Sequence, residues 1–294
     1  PSRGLGDVYK RQTSNGYDLD KYLYFIEQNR TLFSFQITID GVEDIHNERK
    51  PHFKNQDSFS KITSNVDSLV KMGISVSIRI NTDPYTMERV DELFMYFKEK
   101  GWFQYKNFKP YCALLRKEVP IKGEGEDFSK KMFAQSEFFR TFSEKGLKEE
   151  SGGVFMCQDF DVQSILNRLL LGKAVRYKSC FCGAQTGSLI FDPFGDIYSC
   201  WDVVGQREQR VGYYIPNFTL EKELADKWFN SRISEHKCAN CKYVFFCGGG
   251  CLANAMRLTG KLQSGKCNDF PRLFKYVIQQ LYNEKIKRGI DDED

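Results

Sequence analysis

Closely spaced cysteines in the last third of the chain constrain its fold more than any other feature. Four of them follow the pattern C-x2-C-x5-C-x3-C, and eight fall within fewer than ninety residues. This spacing matches neither the face of a helix nor the face of a strand. It indicates loops wrapped around a bound group. The eight residues are Cys180, Cys182, Cys200, Cys238, Cys241, Cys247, Cys251 and Cys267.

Three kinds of cysteine site compete for this pattern. Disulfides suit small secreted domains, but this chain shows no signal peptide and its 294 residues can build an ordinary core. A zinc ribbon closes with a second C-x2-C pair, whereas the second pair here is C-x3-C and no histidine lies inside the cluster. Iron–sulfur clusters are held by four thiolates, often with one distant ligand, and the pattern favours them.

Composition narrows the class of protein further. Ten cysteines without a secretion signal predict a reducing, cytoplasmic location and metal ligation. A net charge of +4 is too small to argue for a nucleic-acid partner, and no apolar run approaches the length of a membrane span. We therefore predict no nucleic-acid and no membrane partner.

The first residues of the chain differ in pattern from the rest. Residues 1–12 have neither a helical nor a strand period, resemble a translated adaptor or vector sequence, and are left out of the predicted fold as a non-native scar. The remaining chain is interpreted as a fragment that begins within an element at Thr13. Its predicted domains are a barrel part at 13–150, a bridge at 151–179, a cysteine-rich domain at 180–270, and a helix and tail at 271–294.

Strand and helix periods alternate in the first half. Residues 34–39 and 74–80 alternate as strands, and a further strand is predicted around 103–115. Helices are predicted with Asp18 as a cap before Tyr22, Phe25 and Ile26, at 57–72 ending at Gly73, from Val90 to Gly101, and at 127–145. This alternation predicts βαβ units and a parallel sheet.

Polar residues on these strands mark a ligand site, because the carboxyl ends of parallel strands face the ligand. They are Gln36, Thr38, Asp40, Arg79 and Asn81. The competing interpretation is that Arg79 and Asp40 only pair with neighbouring charges.

After Gly146 the pattern changes. A bridging helix is predicted at 161–171, and residues 189–198 are predicted to form a hairpin whose Gly195 turn brings Cys200 beside Cys180 and Cys182. An amphipathic helix around Leu220, Leu224 and Trp228 is predicted at 219–232, and a closing helix at 270–287.

The run Cys182-x12-Gly195-x4-Cys200, followed by C-x2-C-x5-C-x3-C and Cys267, resembles the SPASM domain of radical S-adenosylmethionine (SAM) enzymes. Upstream, residues 15–16, 36–41 and 78–81 resemble the ends of the third, fourth and fifth strands of that family's barrel, with His46 and Arg49 in the loop after the fourth. The resemblance implies a partial (β/α) TIM-type barrel that lacks its first strands, followed by a small SPASM domain.

The resemblance also implies cofactors. Two auxiliary 4Fe–4S clusters are expected, the first on Cys182, Cys200 and Cys251 with Cys180 as its fourth ligand. The second would use Cys238, Cys241, Cys247 and Cys267. Thr38 and Arg79 resemble residues that hold the SAM ribose and carboxylate, with Gln36 and Asn81 beside them. Cys112 and Cys157 match no ligand position.

For the parent protein, the resemblance implies an oxidoreductase that cleaves SAM to a 5′-deoxyadenosyl radical and abstracts hydrogen from a peptide or protein. The family's C-x3-C-x2-C motif for a third 4Fe–4S cluster is not in the sequence, so the chain as written is expected to be inactive. A flavodoxin or ferredoxin is the expected reductant.

Relatives that mature sulfatases carry an aspartate base directly after the second cysteine. Here Trp201 has that place, which leaves Asp202 as the candidate base. The alternatives are a non-catalytic iron–sulfur electron-transfer or binding module, an anaerobic sulfatase-maturase-like enzyme, and a zinc-binding module.

Overall fold

The computed structural model describes residues 10–54, 56–115, 133–158, 162–175, 177–233, 238–265, 267 and 269–291. These residues fall into two compact units. The first unit contains the described residues up to position 158, and the second contains those from position 162 onward.

A parallel sheet forms the centre of the first unit. Among the described residues its strands pair in chain order, each parallel to the next, as expected when helical crossovers join them. The predicted α/β class with a parallel sheet is therefore confirmed. The strands are β1 (Lys10–Ser14), β2 (Phe33–Thr38), β3 (Ser75–Thr82), β4 (Phe108–Leu114) and β5 (Met156–Cys157).

Helices lie between these strands along the chain. The helix at Phe59–Lys71 stops before Gly73, whose φ of +77° suits glycine, and the helix at Val90–Glu99 stops before Gly101, whose φ is +70°. Both ends agree with the sequence prediction. The α-helices of this unit are Leu23–Gln28, Glu43–Arg49, Phe59–Lys71, Pro84–Glu88, Val90–Glu99, Gln135–Glu144 and Leu147–Glu150.

Strand β3 separates the apolar core from a polar face. Val76, Ile78 and Ile80 are fully buried, whereas Ser77 and Arg79, which alternate with them, are half-buried. Alternate residues of a strand point to opposite faces, so one face of β3 packs into the core and the other carries polar groups. The core cluster that receives the apolar face includes Val66, Leu69, Phe94, Phe97, Trp102 and Phe108.

Some local predictions for this unit were wrong. Residues 10–12, which were left out of the fold, lie in β1 and pair with residues 33–35. Asp18 makes no capping hydrogen bond, and its carboxylate instead pairs with Lys21 Nζ at 2.7 Å. Of the three apolar residues predicted for that helix, only Ile26 is buried.

The strand predicted at 103–115 begins later than expected. Trp102–Gln104 forms a 3₁₀ turn, which carries the fully buried Trp102 into the core, and extended backbone starts only at Phe108. The predicted helix at 127–145 is seen at Gln135–Glu144, and its expected start up to position 132 lies outside the described residues.

The second unit has short strands and several single turns. Among the described residues its sheet is antiparallel, with strands β6 (Ile190–Phe191), β7 (Asp196–Tyr198), β8 (Gly212–Tyr213) and β9 (Thr219–Leu220) in that order. The predicted hairpin at 189–198 is thus present. The α-helices are Val162–Leu170, Lys222–Phe229, Val244–Cys247, Leu252–Thr259 and Phe270–Asp291.

The helix predicted at 219–232 is shorter than expected. Thr219–Leu220 pairs with β8 as a strand, and the helix occupies only Lys222–Phe229. Pairing with Gly212 and Tyr213 takes the place of the first helical turn, and of the three predicted apolar residues only Trp228 is fully buried. The bridging and closing helices are present at Val162–Leu170 and Phe270–Asp291, and residue 161 lies outside the described residues.

In the part of the chain that the structure describes, no helix is both long and apolar enough to cross a membrane.

Candidate functional site

The polar face of the parallel sheet gathers the residues predicted for the cofactor. Thr38 on β2 lies opposite Arg79 on β3, and Arg79 lies opposite Tyr111 on β4. Two positions earlier on the same two strands, Gln36 lies opposite Ser77. Residues in one row, and those two positions along each strand, share a face. The face therefore presents a guanidinium, hydroxyls and amides together.

Arg79 is oriented by its neighbour on the same strand. Its Nε donates to Oδ1 of Asn81 at 2.9 Å. The Asn81 backbone N–H in turn donates to Oδ1 of Asp40 at 3.0 Å. Asp40 sits just beyond the end of β2 and is 5% exposed, so its carboxylate joins the ends of β2 and β3.

The interpretation that Asp40 and Arg79 only pair with neighbouring charges holds for Asp40 and not for Arg79. Asp40 does pair with a neighbouring charge, because its Oδ2 lies 3.6 Å from Lys50 Nζ. Arg79 instead bonds a neutral amide. Within the part of the chain that the structure describes, its two terminal nitrogens form no ion pair, which leaves the outer edge of the guanidinium available to an anion.

Gln36 has its carbonyl oxygen saturated by two donors. The Tyr111 hydroxyl donates to Oε1 at 3.1 Å, and Arg11 donates to the same atom. Gln36 is 9% exposed, so these bonds fix its amide in the polar face. Sequence reasoning missed Tyr111 and Arg11. The two-residue period along β4 was the signal for Tyr111, whereas Arg11 belonged to the segment left out.

His46 supports Asp40 from below. Its Nδ1 accepts the Asp40 backbone N–H at 3.1 Å, and its ring meets Phe59 edge-on at 5.8 Å between centroids. Burial lowers the pKa of His46 to about 4, although the nearby Asp40 carboxylate opposes the shift. The imidazole is therefore neutral at neutral pH, as its acceptor role requires.

Arg49 closes the same edge of the sheet. Its Nη2 lies 2.6 Å from Oδ2 of Asp83, its Nη1 donates to the Asn81 carbonyl at 3.3 Å, and Tyr85 lies under the guanidinium. Asp83 also accepts the Thr86 backbone N–H as a helix cap. Burial raises the pKa of Asp83, but the Arg49 and Thr86 bonds outweigh it and the net pKa is lowered. Asp83 was another residue missed from sequence.

The cysteine-rich unit brings three thiols of the predicted first set near one another. Burial raises the pKa of Cys200 to about 11, while the Asp202 backbone N–H opposes the rise. The charges of Asp202, Cys251 and Cys182 raise it further, since a thiolate at Cys200 would meet like charge. A bound metal would stabilise the thiolate form of Cys200 against this rise.

A tight turn delivers Cys200 to this group. Oδ1 of Asp192 accepts the backbone N–H groups of Phe194 and Asp196 at 2.8 and 3.0 Å, and Gly195 adopts a φ of +98°. The chain then runs through β7 directly to Cys200. Asp192 and Gly195 thus form the turn that the sequence predicted.

Three thiols of the predicted second set also lie near one another. Burial raises the pKa of Cys247, the Gly249 backbone N–H opposes the rise, and Cys267 and Cys238 add to it. Lys178 lowers it by its positive charge. Cys241, the remaining member of the set, is exposed.

The glycines between Cys247 and Cys251 let two cysteine segments touch. Gly248 has a φ of +78°, and a Cβ atom there would lie 2.4 Å from the Cys180 carbonyl oxygen. Real Cβ atoms essentially never approach so closely, so only glycine fits. The Lys178 backbone N–H adds a 2.7 Å bond to the Phe245 carbonyl. Cys180 itself is half-exposed.

The cysteines are free thiols, and the described residues contain no group of three or more histidine, cysteine, aspartate or glutamate side chains spaced for a single metal ion. A cluster of four irons and four sulfides is larger than one ion, so its thiolate ligands stand farther apart.

Asp202 follows Cys200 in a 3₁₀ turn at Trp201–Val203 and is half-buried, whereas Trp201 is 79% exposed. Arg257 Nη2 donates to the Asp202 carbonyl at 2.6 Å, which fixes the backbone of this turn. The other two cysteines differ in setting. Cys112 lies fully buried in the core of the first unit, opposite Cys157.

Comparison with curated proteins finds relatives along most of the chain, although no protein-family model matches it. A cysteine-type anaerobic sulfatase-maturating enzyme of Clostridium novyi is 24% identical over 301 residues, covering 95% of this chain and 74% of the relative. A cysteine-type enzyme of Clostridium perfringens is 25% identical over 287 residues, with 94% and 74% covered. A serine-type enzyme of Bacteroides thetaiotaomicron is 23% identical over 288 residues, with 92% and 67% covered.

Solved structures share the fold. The structure of native anSMEcpe with bound AdoMet and Kp18Cys peptide aligns with a TM-score of 0.66 at 21% identity, covering 94% of this chain and 75% of that chain. Streptococcus suis SuiB bound to the precursor peptide SuiA aligns with a TM-score of 0.55 at 13% identity, covering 89% and 58%.

These relatives confirm the prediction of an enzymatic parent protein and do not favour the non-catalytic alternative. The resemblance to radical SAM enzymes is likewise confirmed, because relatives along most of the chain are anaerobic sulfatase-maturating enzymes and solved structures that share its fold hold bound AdoMet.

Proposed function

We propose that the chain is the greater part of a radical SAM enzyme that modifies a peptide or protein by hydrogen abstraction, with two auxiliary 4Fe–4S clusters in its cysteine-rich unit. The observation that carries this proposal is the grouping of six thiols into two neighbourhoods. The charges of Cys251 and Cys182 both raise the pKa of Cys200, and those of Cys267 and Cys238 both raise the pKa of Cys247.

Cys180 and Cys241 complete the two sets in this proposal. Contact between Gly248 and the Cys180 carbonyl holds the segment of Cys180 and Cys182 against the segment that ends at Cys251. Cys241 joins the second set through the 2.9 Å bond from its backbone N–H to the Cys238 carbonyl. Each set then supplies four thiolates, the usual complement of a 4Fe–4S cluster.

The polar face of the parallel sheet is the proposed SAM site. Arg79 offers a guanidinium that suits a carboxylate, and Thr38 offers a hydroxyl in the same row. Gln36 and Asn81 supply amides, each fixed by hydrogen bonds to its neighbours. When bound beside a reduced cluster, SAM supplies the radical chemistry of hydrogen abstraction.

The substrate class follows from the relatives and one carboxylate. Relatives named for cysteine-type and for serine-type sulfatase maturation match this chain at similar identity, so we propose a peptide or protein substrate without choosing between the two residues. Asp202, close enough to Cys200 to raise its pKa, is the proposed base. A flavodoxin or ferredoxin is the proposed reductant.

Iron and acid-labile sulfide content after anaerobic reconstitution tests the two cluster sites, with the visible spectrum recorded alongside. We expect about eight irons per chain. Cys200→Ser and Cys247→Ser should each lose about half of the iron, because each removes one ligand from a different set. Cys157→Ser is the matched control, since Cys157 belongs to the parallel sheet, and it should keep the full content.

Other outcomes contradict parts of the proposal. Stoichiometric zinc without iron would refute both clusters, and about four irons would refute one of the two ligand sets. Asp202→Asn should retain all its iron, because the proposed role of Asp202 is that of a base. Loss of iron in that variant would make Asp202 part of the cluster site instead.

A further inference from the structure

We propose that Asp40 is a positioning residue for the SAM site, acting through Asn81 to hold the Arg79 guanidinium toward its ligand. This inference rests on the proposed SAM-binding role of Arg79.

The Asp40 carboxylate has a fixed position. It is 5% exposed and lies where β2 ends. His46 Nδ1 accepts the Asp40 backbone N–H at 3.1 Å, and Lys50 Nζ lies 3.6 Å from Oδ2. A buried carboxylate held from both its backbone and one oxygen has little freedom to turn.

The other oxygen of the same carboxylate also has a fixed partner. Oδ1 of Asp40 accepts the Asn81 backbone N–H at 3.0 Å, and the neighbouring Ile39 N–H donates to the Arg79 carbonyl at 3.0 Å. These two bonds fasten the end of β2 to the last residues of β3. A carboxylate oxygen is a stronger acceptor than a backbone carbonyl, so the bond to Asp40 is the stronger of the two.

Asn81 connects the Asp40 carboxylate to the Arg79 guanidinium. Asn81 uses its side-chain oxygen for Arg79 Nε at 2.9 Å, and its carbonyl accepts Arg49 Nη1 at 3.3 Å. Asn81 is thus held at its N–H by Asp40 and at its carbonyl by Arg49. With both ends of its backbone held, its amide fixes one edge of Arg79 and leaves the opposite edge for a carboxylate.

A structural role alone differs from this proposal in a measurable way. Asn107 makes a comparable pair of bonds at the opposite end of the sheet, where its Nδ2 donates to the carbonyls of Val70 and Ile74 at 3.0 and 2.7 Å. Asn107→Ala therefore removes similar bonds without touching Arg79. It is the matched control for Asp40→Ala.

The experiment compares wild type, Asp40→Asn, Asp40→Ala and Asn107→Ala as reconstituted full chains. The first readout is the Nε–H signal of Arg79 in ¹⁵N-edited NMR spectra, identified by its loss in Arg79→Lys. The second readout is SAM affinity from calorimetric titration. Thermal unfolding confirms that each variant is folded.

We expect the Arg79 signal to move most in Asp40→Ala and less in Asp40→Asn. The amide oxygen of the asparagine still accepts a hydrogen bond, but a weaker one, and the ion pair with Lys50 is lost. SAM affinity should fall roughly tenfold in Asp40→Ala, the scale of one lost charge-assisted hydrogen bond. Asn107→Ala should leave the signal and the affinity as in wild type. If Asp40→Ala does not fold, the smaller movement in Asp40→Asn carries the test.

An Arg79 signal that stays in place in every folded Asp40 variant would overturn the inference, and so would an equal movement in Asn107→Ala. The failure of the proposed function looks different. If the signal moves as expected while Arg79→Lys binds SAM as tightly as wild type, Asp40 still positions Arg79 but the SAM role of Arg79 is refuted.

Discussion

The two units of this molecule differ in the internal packing that stabilises each of them. The first has strands of five to eight residues in β1 to β4 and a large apolar core that contains fully buried Trp102, Phe97 and Phe108. The second has strands of two or three residues, and its smaller core centres on Tyr198 and Trp228. We expect long strands and a large core to stabilise the first unit by themselves, and the short elements of the second unit to depend on the proposed clusters.

Removal of iron tests this difference most severely. After chelation under reducing conditions, we expect the cysteine-rich unit to lose most of its protection from amide hydrogen exchange, because bound metal links loops that few other contacts hold. The parallel sheet of the first unit should stay protected. Peptide-resolved exchange with mass spectrometry measures both units in one sample. Equal loss in both units would show that the contrast between them is false.

Trp102→Ala should produce the next largest effect, in the opposite unit. Trp102 is fully buried and its Nε1 donates to Asp67 Oδ1 at 3.0 Å. We expect the free energy of unfolding of the first unit to fall by about 3–5 kcal/mol, the usual cost of truncating a large core aromatic. Denaturant unfolding followed by circular dichroism measures the change, and iron content should be unaltered.

Trp201→Ala is its control in the second unit. Trp201 is 79% exposed, so its truncation should change the free energy of unfolding by less than about 0.5 kcal/mol. A large loss in this variant would mean that Trp201 is covered in the protein in solution.

The pH dependence of stability should single out His46. Its pKa is lowered to about 4 from an ordinary 6.5, so the unfolded chain takes up a proton that the folded chain refuses. Stability from this group is complete above about pH 6.5 and is lost as the pH falls toward 4, by about 3 kcal/mol in all. Thermal unfolding from pH 7 to pH 4 measures it.

His46 and His52 provide the comparison for this prediction. His46→Gln should flatten the pH dependence between 6.5 and 4. His52→Gln should leave it unchanged, because His52 is only half-buried and stacks on Tyr17 rather than entering the core. If His52→Gln flattens the curve as much, the buried imidazole is not its cause.

Exposed ion pairs should give the smallest effects, alike in both units. Lys21 pairs with Asp18 in the first unit and Lys222 pairs with Asp226 in the second, and both lysines are exposed. We expect Lys21→Ala and Lys222→Ala to leave the midpoint of thermal unfolding unchanged, since exposed pairs are weakened by water and salt. A clear drop for one of them would mark that helix as a site of hidden tertiary contact.

Periodicity predicted the first unit better than the second. The alternation of Val76, Ile78 and Ile80 with Ser77 and Arg79 gave both the strand and its two faces, and Gly73 and Gly101 gave the helix ends. These signals lie within a few neighbouring residues, so sequence alone contains them.

Contacts that depend on sheet register could not be predicted in the same way. The bond from Asn81 to Asp40 joins residues 41 positions apart, and that from Tyr111 to Gln36 joins residues 75 apart. The late start of β4 after the buried Trp102 depends on the tertiary core, and the pairing of Leu220 in β9 depends on the position of β8. The two cysteine sets came from family resemblance rather than from spacing.

The alternation along β3 also defines which positions of this strand evolution and engineering can vary. Even-numbered positions from Val76 to Thr82 are fully buried and accept little beyond side chains of the same volume. Odd-numbered positions from Ser75 to Asn81 are half-buried and lie on the polar face of the sheet, the proposed SAM site. A library randomised at the odd positions alone would therefore vary the polar face of β3 and leave its buried positions unchanged.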